Sequence, residues 1–142
     1  MALNWCFNEP WPTLANNSII NYPAVRKSSF TAVADACRDK LAGARIPKFS
    51  WHGGEDFTIE LWLLNDSRSP ITPGTVEASL EIDGILYLLG TWKHKGTAAN
   101  NNKKGPKVGI NLPKLKVNDF TEMKLIINAG ELSSQYRLLY LS

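Results

Sequence analysis

The sequence predicts a mainly β protein: an immunoglobulin-like antiparallel β-sandwich over residues 45–142, preceded by a strand, loop and helix over residues 1–44. Two observations carry this. From Ile46 onward the apolar period changes from 3.6 to 2, the spacing of half-buried strands. About seven short strands then follow over roughly a hundred residues with turn signals between them, the pattern of a sandwich. Cys6 and Cys37 both fall in the first segment, so the sandwich lacks a domain disulfide.

The chain opens on Asn4–Pro12, NWCFNEPWP, a strand running into a Pro-punctuated loop. On that strand Trp5 and Phe7 share a face and Cys6 takes the other, toward a covering helix. The helix is predicted from Phe30, Val33, Ala34, Cys37 and Leu41, a single apolar stripe, with Arg38, Asp39 and Lys40 on the wet side and Gly43 as its stop. One strand and one helix cannot bury themselves, so this segment needs neighbours on both strand edges. Both cysteines are expected as buried thiols.

In the sandwich, Phe57, Ile59, Leu61 and Leu63 alternate with polar or outward positions, as do Val76, Ala78, Leu80 and Ile82. Runs over 85–92, 107–112, 122–128 and 135–141 continue the series. Asp83-Gly84 marks a tight hairpin, and Ser69-Pro70 with Thr72-Pro73-Gly74 marks a loop. Trp51 is expected to end the first sandwich strand at the domain edge, because Gly53-Gly54 is turn chemistry. His94–Lys107 holds four lysines, three asparagines and no apolar residue larger than alanine, which predicts a solvated hairpin loop. Trp62 and Trp92 sit on strands among apolar neighbours, where packing on a sheet face is favoured over an exposed platform.

Candidate site residues gather in the opening stretch: Trp5, Asn8, Glu9 and Trp11. Indole faces stack on the apolar C–H face of a pyranose, while an amide and a carboxylate orient its hydroxyls. The chemistry therefore points to carbohydrate. Asn16-Asn17-Ser18 and Asn65-Asp66-Ser67 match the N-glycosylation pattern, a weak signal.

Trp5, Phe7, Asn8, Glu9, Trp11 and Pro12, followed by Tyr22, Pro23, Lys27 and Phe30, resemble the eighth strand and opening of the eighth helix of the (β/α)8 barrel in glycoside hydrolase family 2. That group comprises β-galactosidases, β-mannosidases and exo-glucosaminidases. The pattern departs from the family where Pro23 and Lys27 are not adjacent and where Leu14-Ala15 replaces a region that often holds another Trp. The resemblance covers about the first third of the chain. It implies that residues 1–44 are a remnant of the catalytic barrel and residues 45–142 the family's C-terminal sandwich. It also implies a parent enzyme that is a retaining exo-glycosidase of β-linked sugars, periplasmic or secreted.

Such enzymes use two glutamates roughly 5 Å apart. The family carries them on the fourth and seventh barrel strands, and neither strand is in this sequence, so no catalytic residue is assigned here. Glu9 followed by Pro-Trp-Pro fits the eighth strand and a role in orienting substrate or neighbouring groups. The implied partners are the carbohydrate substrate of the parent and the remainder of the barrel. Self-association would be another way to cover the orphan strand and helix. The alternative class is a non-catalytic carbohydrate-binding or adhesion sandwich.

Composition narrows the rest. The net charge of +3 is modest, and the lysines of 94–107 are not interleaved with aromatics, which argues against nucleic acid. No run of about 18 apolar residues is present to span a membrane as a helix, and no basic start leads into an apolar signal segment. The two cysteines have no metal-ligand company, since His52 and His94 lie far away in sequence, so no metal or cofactor is expected.

Overall fold

The computed structural model describes residues 6–12 and 17–141, which divide into two compact units, Met1–Arg38 and Asp39–Ser142. Each has its own logic.

In the first unit a short hairpin joins β1 (Ile20–Asn21) to β2 (Val25–Arg26), and α1 (Ser28–Ala36) follows. The predicted opening strand is reduced, among the described residues, to one parallel bridge between Asn8 and Ile20. Helix α1 starts after Lys27 and closes where the Cys37 amide donates to the Val33 carbonyl. No residue of α1 is buried, and Cys37 is exposed, which corrects the expectation of a buried thiol. Neither cysteine forms a disulfide.

The second unit begins with β3 (Lys40–Arg45), which pairs antiparallel with β5 (Asp56–Asn65) from Lys40 opposite Asn65 to Arg45 opposite Glu60. This corrects the predicted extension of the helix through Leu41. Leu41 fits the helical stripe by spacing alone, but pairing gives its backbone a complete edge of β5 to bond with. The remaining strands are β4 (Ser50–His52), β6 (Gly74–Ile82), β7 (Ile85–His94), β8 (Lys103–Asn111), β9 (Phe120–Asn128) and β10 (Ser134–Leu141). One sheet has the order β3-β5-β8 and the other β4-β10-β9-β6-β7. All pairings in this unit are antiparallel, as expected, except that of the short edge strand β4 with β10, which is parallel. The two-sheet order, with a short early strand running parallel to the last, is an immunoglobulin-like sandwich.

The core forms as the period-2 pattern requires. Phe57, Ile59, Leu61 and Leu63 of β5 and Val76, Ala78, Leu80 and Ile82 of β6 are all buried, joined by Met123, Leu125, Ile127, Leu138 and Tyr140. Asp83 and Gly84, with φ of 50° and 75°, make the β6–β7 hairpin that Asp-Gly announces. Trp51 is buried edge-on against Phe57, with ring centroids 4.8 Å apart, and donates its indole N–H to the Lys48 carbonyl.

The lysine-rich segment is shorter as a loop than its composition suggests. Strand β7 runs to His94 and β8 starts at Lys103, so residues 95–102 connect them. Lysines fit β8 because it is an edge strand whose outward side chains stay wet. Its Pro106 falls at the register shift between Glu60 and Trp62, where a missing N–H costs no ladder bond. Gly105 is required there, since a Cβ would lie 2.7 Å from the Trp92 ring.

At the loop end of the sandwich, Asn65 is fully buried and ties two connections together. Its side-chain amide donates to the carbonyls of Ser69 (3.0 Å) and Ala98 (2.8 Å), and its oxygen accepts from the Ser67 N–H (3.1 Å) and hydroxyl (2.7 Å). The Asn65-Asp66-Ser67 glycosylation pattern is thereby spent on the fold.

Candidate functional site

The predicted sugar-facing residues lie in the first unit, where residues 6–9 run beside residues 17–20. The Cys6 and Glu9 amides donate to the carbonyls of Asn17 (3.1 Å) and Ile20 (3.0 Å), and the Ile19 and Ile20 amides converge on the Phe7 carbonyl. This pairing sets Asn8 and Glu9 against the β1–β2 hairpin. Between them lies an open hollow of about 390 Å³, lined by Phe7, Asn8, Glu9, Pro10, Tyr22 and Pro23 among others.

Glu9 is the best-anchored group there. Its Oε1 accepts from the Ser18 hydroxyl at 2.8 Å and from the Lys27 ammonium at 3.3 Å, and Lys27 also donates to Ser18 Oγ at 3.1 Å. The Glu9 side chain is 8 % exposed. The Ser18 hydrogen bond, with Lys27 adding a hydrogen bond and its charge, holds the Glu9 carboxyl below the ordinary carboxylate range against the opposing effect of desolvation. A carboxylate so held is ionised at neutral pH. It can accept hydrogen bonds and fix neighbours, but it is poorly suited to act as a general acid, which needs a raised pKa.

Around this anchor the aromatics face outward. Phe7 is 63 % exposed, Trp11 64 % and Tyr22 49 %. Exposed apolar rings close to a hollow with an amide and a carboxylate are the parts that sugar recognition uses. Of the predicted residues, Asn8 and Glu9 line the hollow. Trp11 is exposed but not part of its lining, and Trp5 lies outside the described residues. Ser18, missed as a site residue by the sequence reading, and Lys27 complete the anchor; they stand nine and eighteen positions from Glu9. Among the described residues no cluster of three or more His, Cys, Asp or Glu could hold a metal ion, and no helix is long and apolar enough to cross a membrane.

No protein-family model and no curated protein sequence matches this chain. Solved structures do. One neighbour is a mutant β-glucosidase from Listeria innocua in complex with laminaribiose, with 11% identity, a TM-score of 0.47, and coverage of 72% of this chain and 16% of that one. Another is the sporulation control protein Spo0M from Bacillus subtilis, with 10% identity, a TM-score of 0.41, and coverage of 74% and 50%. The chain thus spans a small part of the glycosidase and half of the sporulation protein.

Proposed function

We propose that this chain is the C-terminal portion of a family 2 glycoside hydrolase, of β-galactosidase or β-mannosidase type, that supplies a wall of the sugar site and the trailing sandwich. The observation that carries the reading is the Glu9–Ser18–Lys27 anchor beside a hollow rimmed by exposed aromatics. On this account Asn8 and Glu9 hydrogen-bond sugar hydroxyls or fix neighbouring groups. Trp5 lines the sugar subsite, and Trp11 borders the leaving-group side. The two glutamates that form and hydrolyse the glycosyl-enzyme belong to the rest of the parent barrel.

The isolated chain is then inert, because removing even one catalytic group typically costs orders of magnitude in rate. Aryl β-galactosides and β-mannosides incubated with the 142-residue chain should hydrolyse at the buffer rate. Turnover above buffer that disappears in Glu9→Gln would sink the proposal, since it would make this chain itself the catalyst.

A further inference from the structure

The outer face of the β3-β5-β8 sheet carries a compact block of side chains that the core does not use. Register places Arg45, Glu60 and Lys107 in one row and Gly43, Trp62 and Lys104 in the next. Strand neighbours stand about 4.8 Å apart, so these groups lie within a sugar ring or two of one another. Trp62 is half-buried, and its indole N–H donates to Glu60 Oε1 at 2.9 Å. The second oxygen of Glu60 meets the Lys104 ammonium at 2.7 Å.

This fixes the indole and spends the only carboxylate in the block. The Lys104 hydrogen bond, helped by the Trp62 hydrogen bond and the charges of Lys104 and Arg45, holds the Glu60 carboxyl below its ordinary range against the opposing effect of burial, so it stays ionised as the cations' counter-charge. Three cations against one anion leave the block positive by two. The other acid on this face, Asp56, sits six residues along β5 from Trp62, roughly 20 Å away, and accepts from Asn111. Gly43, opposite Trp62, is covered by the Tyr136 hydroxyl, which also accepts from the Ala44 amide at 3.3 Å, so a ligand reaches the indole from the Lys104 and Lys107 side. Trp92, by contrast, pairs with buried Val76 and packs inward beneath Gly105, so the two strand tryptophans part company.

We infer that this block binds an acidic saccharide, with a sugar ring stacked on Trp62 and its carboxylate held by Arg45, Lys104 and Lys107. A lone fixed aromatic flanked by cations suits one stacked pyranose bearing a negative charge. Single-stranded nucleic acid uses successive aromatics, and this block offers one, Trp62. The inference is independent of the hollow at Glu9, so its failure leaves that reading standing.

The test follows the indole N–H signal of Trp62 in the ¹⁵N-labelled full chain, assigned with Trp62→Phe. The probes are a hexamer of galacturonic acid, a neutral galactose hexamer, hexaglutamate and a thymidine hexanucleotide. The expected result is a saturable shift with the galacturonate hexamer alone. Trp62→Ala should abolish it, and the exposed changes Lys107→Gln and Arg45→Gln should each weaken it by about fivefold or more, the equivalent of one lost charge contact. Absence of a shift overturns the proposal, as does equal response to the neutral hexamer. Equal response to hexaglutamate would reduce it to charge alone, and tighter response to the oligonucleotide would assign the face to nucleic acid; either result also overturns it. Lys107→Gln binding as well as the parent, while unfolding at the same temperature, would remove the cations from the account.

Discussion

Replacing Asn65 by alanine tests how the loop end of the sandwich is held. Asn65 is fully buried and makes four side-chain hydrogen bonds, to the carbonyls of Ser69 and Ala98 and from the amide and hydroxyl of Ser67. Not all four losses are uncompensated. The Ser67 hydroxyl already lies 2.9 Å from the Ser69 carbonyl, so those two groups keep each other. The Ala98 carbonyl and the Ser67 amide are left without this partner. At about 1–3 kcal/mol for each unsatisfied group, plus lost packing, the expected cost is about 3 kcal/mol. With an m-value of about 1–3 kcal/mol/M, the urea midpoint should fall by about 1–3 M, with m itself unchanged. Asn65→Asp should be worse than Asn65→Ala, because it sets a carboxylate oxygen against two carbonyls at 2.8–3.0 Å. A midpoint within error of the parent in Asn65→Ala, or an aspartate variant more stable than the alanine one, would refute the reasoning.

Three further outcomes are expected. In Tyr140→Phe the hydroxyl that donates to the Pro113 carbonyl (2.6 Å) and accepts from the Leu115 amide (2.8 Å) disappears, so calorimetry should show a loss of about 1–3 kcal/mol. His94 is buried, its Nδ1 accepts from the Gly96 amide, and burial, aided by the Lys103 charge, holds its pKa below 6.5. The unfolded chain therefore takes up this proton first: stability is constant above about pH 7 and falls as pH drops below 6.5, before the carboxylates titrate. His94→Gln should flatten denaturation midpoints between pH 7 and 5.5, and an unchanged slope would show that His94 is not the group responsible. Deleting residues 1–38 should leave a cooperative unfolding transition, since residues 39–142 contain every strand of both sheets; a non-cooperative melt would mean the first unit is needed for that core.

Much of the sandwich could be read from the chain because burial there is strictly alternate. The inward residues of β5 and β6 and the Asp83-Gly84 hairpin follow from period and turn chemistry alone. Strand β3 could not, because Leu41 continues the helical spacing of Phe30, Val33, Ala34 and Cys37, and only its partner β5 decides the matter. The second half of β8 falls in the expected run over 107–112, but its start over 103–106 was hidden by composition: edge strands tolerate lysine and proline that central strands do not. At the candidate site, the identity of Asn8 and Glu9 was visible, but the anchor was not. Ser18 and Lys27 reach Glu9 through the fold of the hairpin, and no periodicity links residues nine and eighteen apart.

We propose that these residues wall a retaining glycosidase site whose two glutamates lie on other strands of a parent barrel. The most direct test of this proposal is anomer-resolved proton NMR of aryl β-galactoside and β-mannoside cleavage by a polypeptide that joins these 142 residues to a barrel carrying both glutamates. The account predicts that the β-anomer is released first. It also predicts that Trp11→Ala lowers kcat/KM by about tenfold or more, the equivalent of about 1.4 kcal/mol of transition-state binding. Release of the α-anomer first, no cleavage of either substrate, or full activity in Trp11→Ala would contradict it.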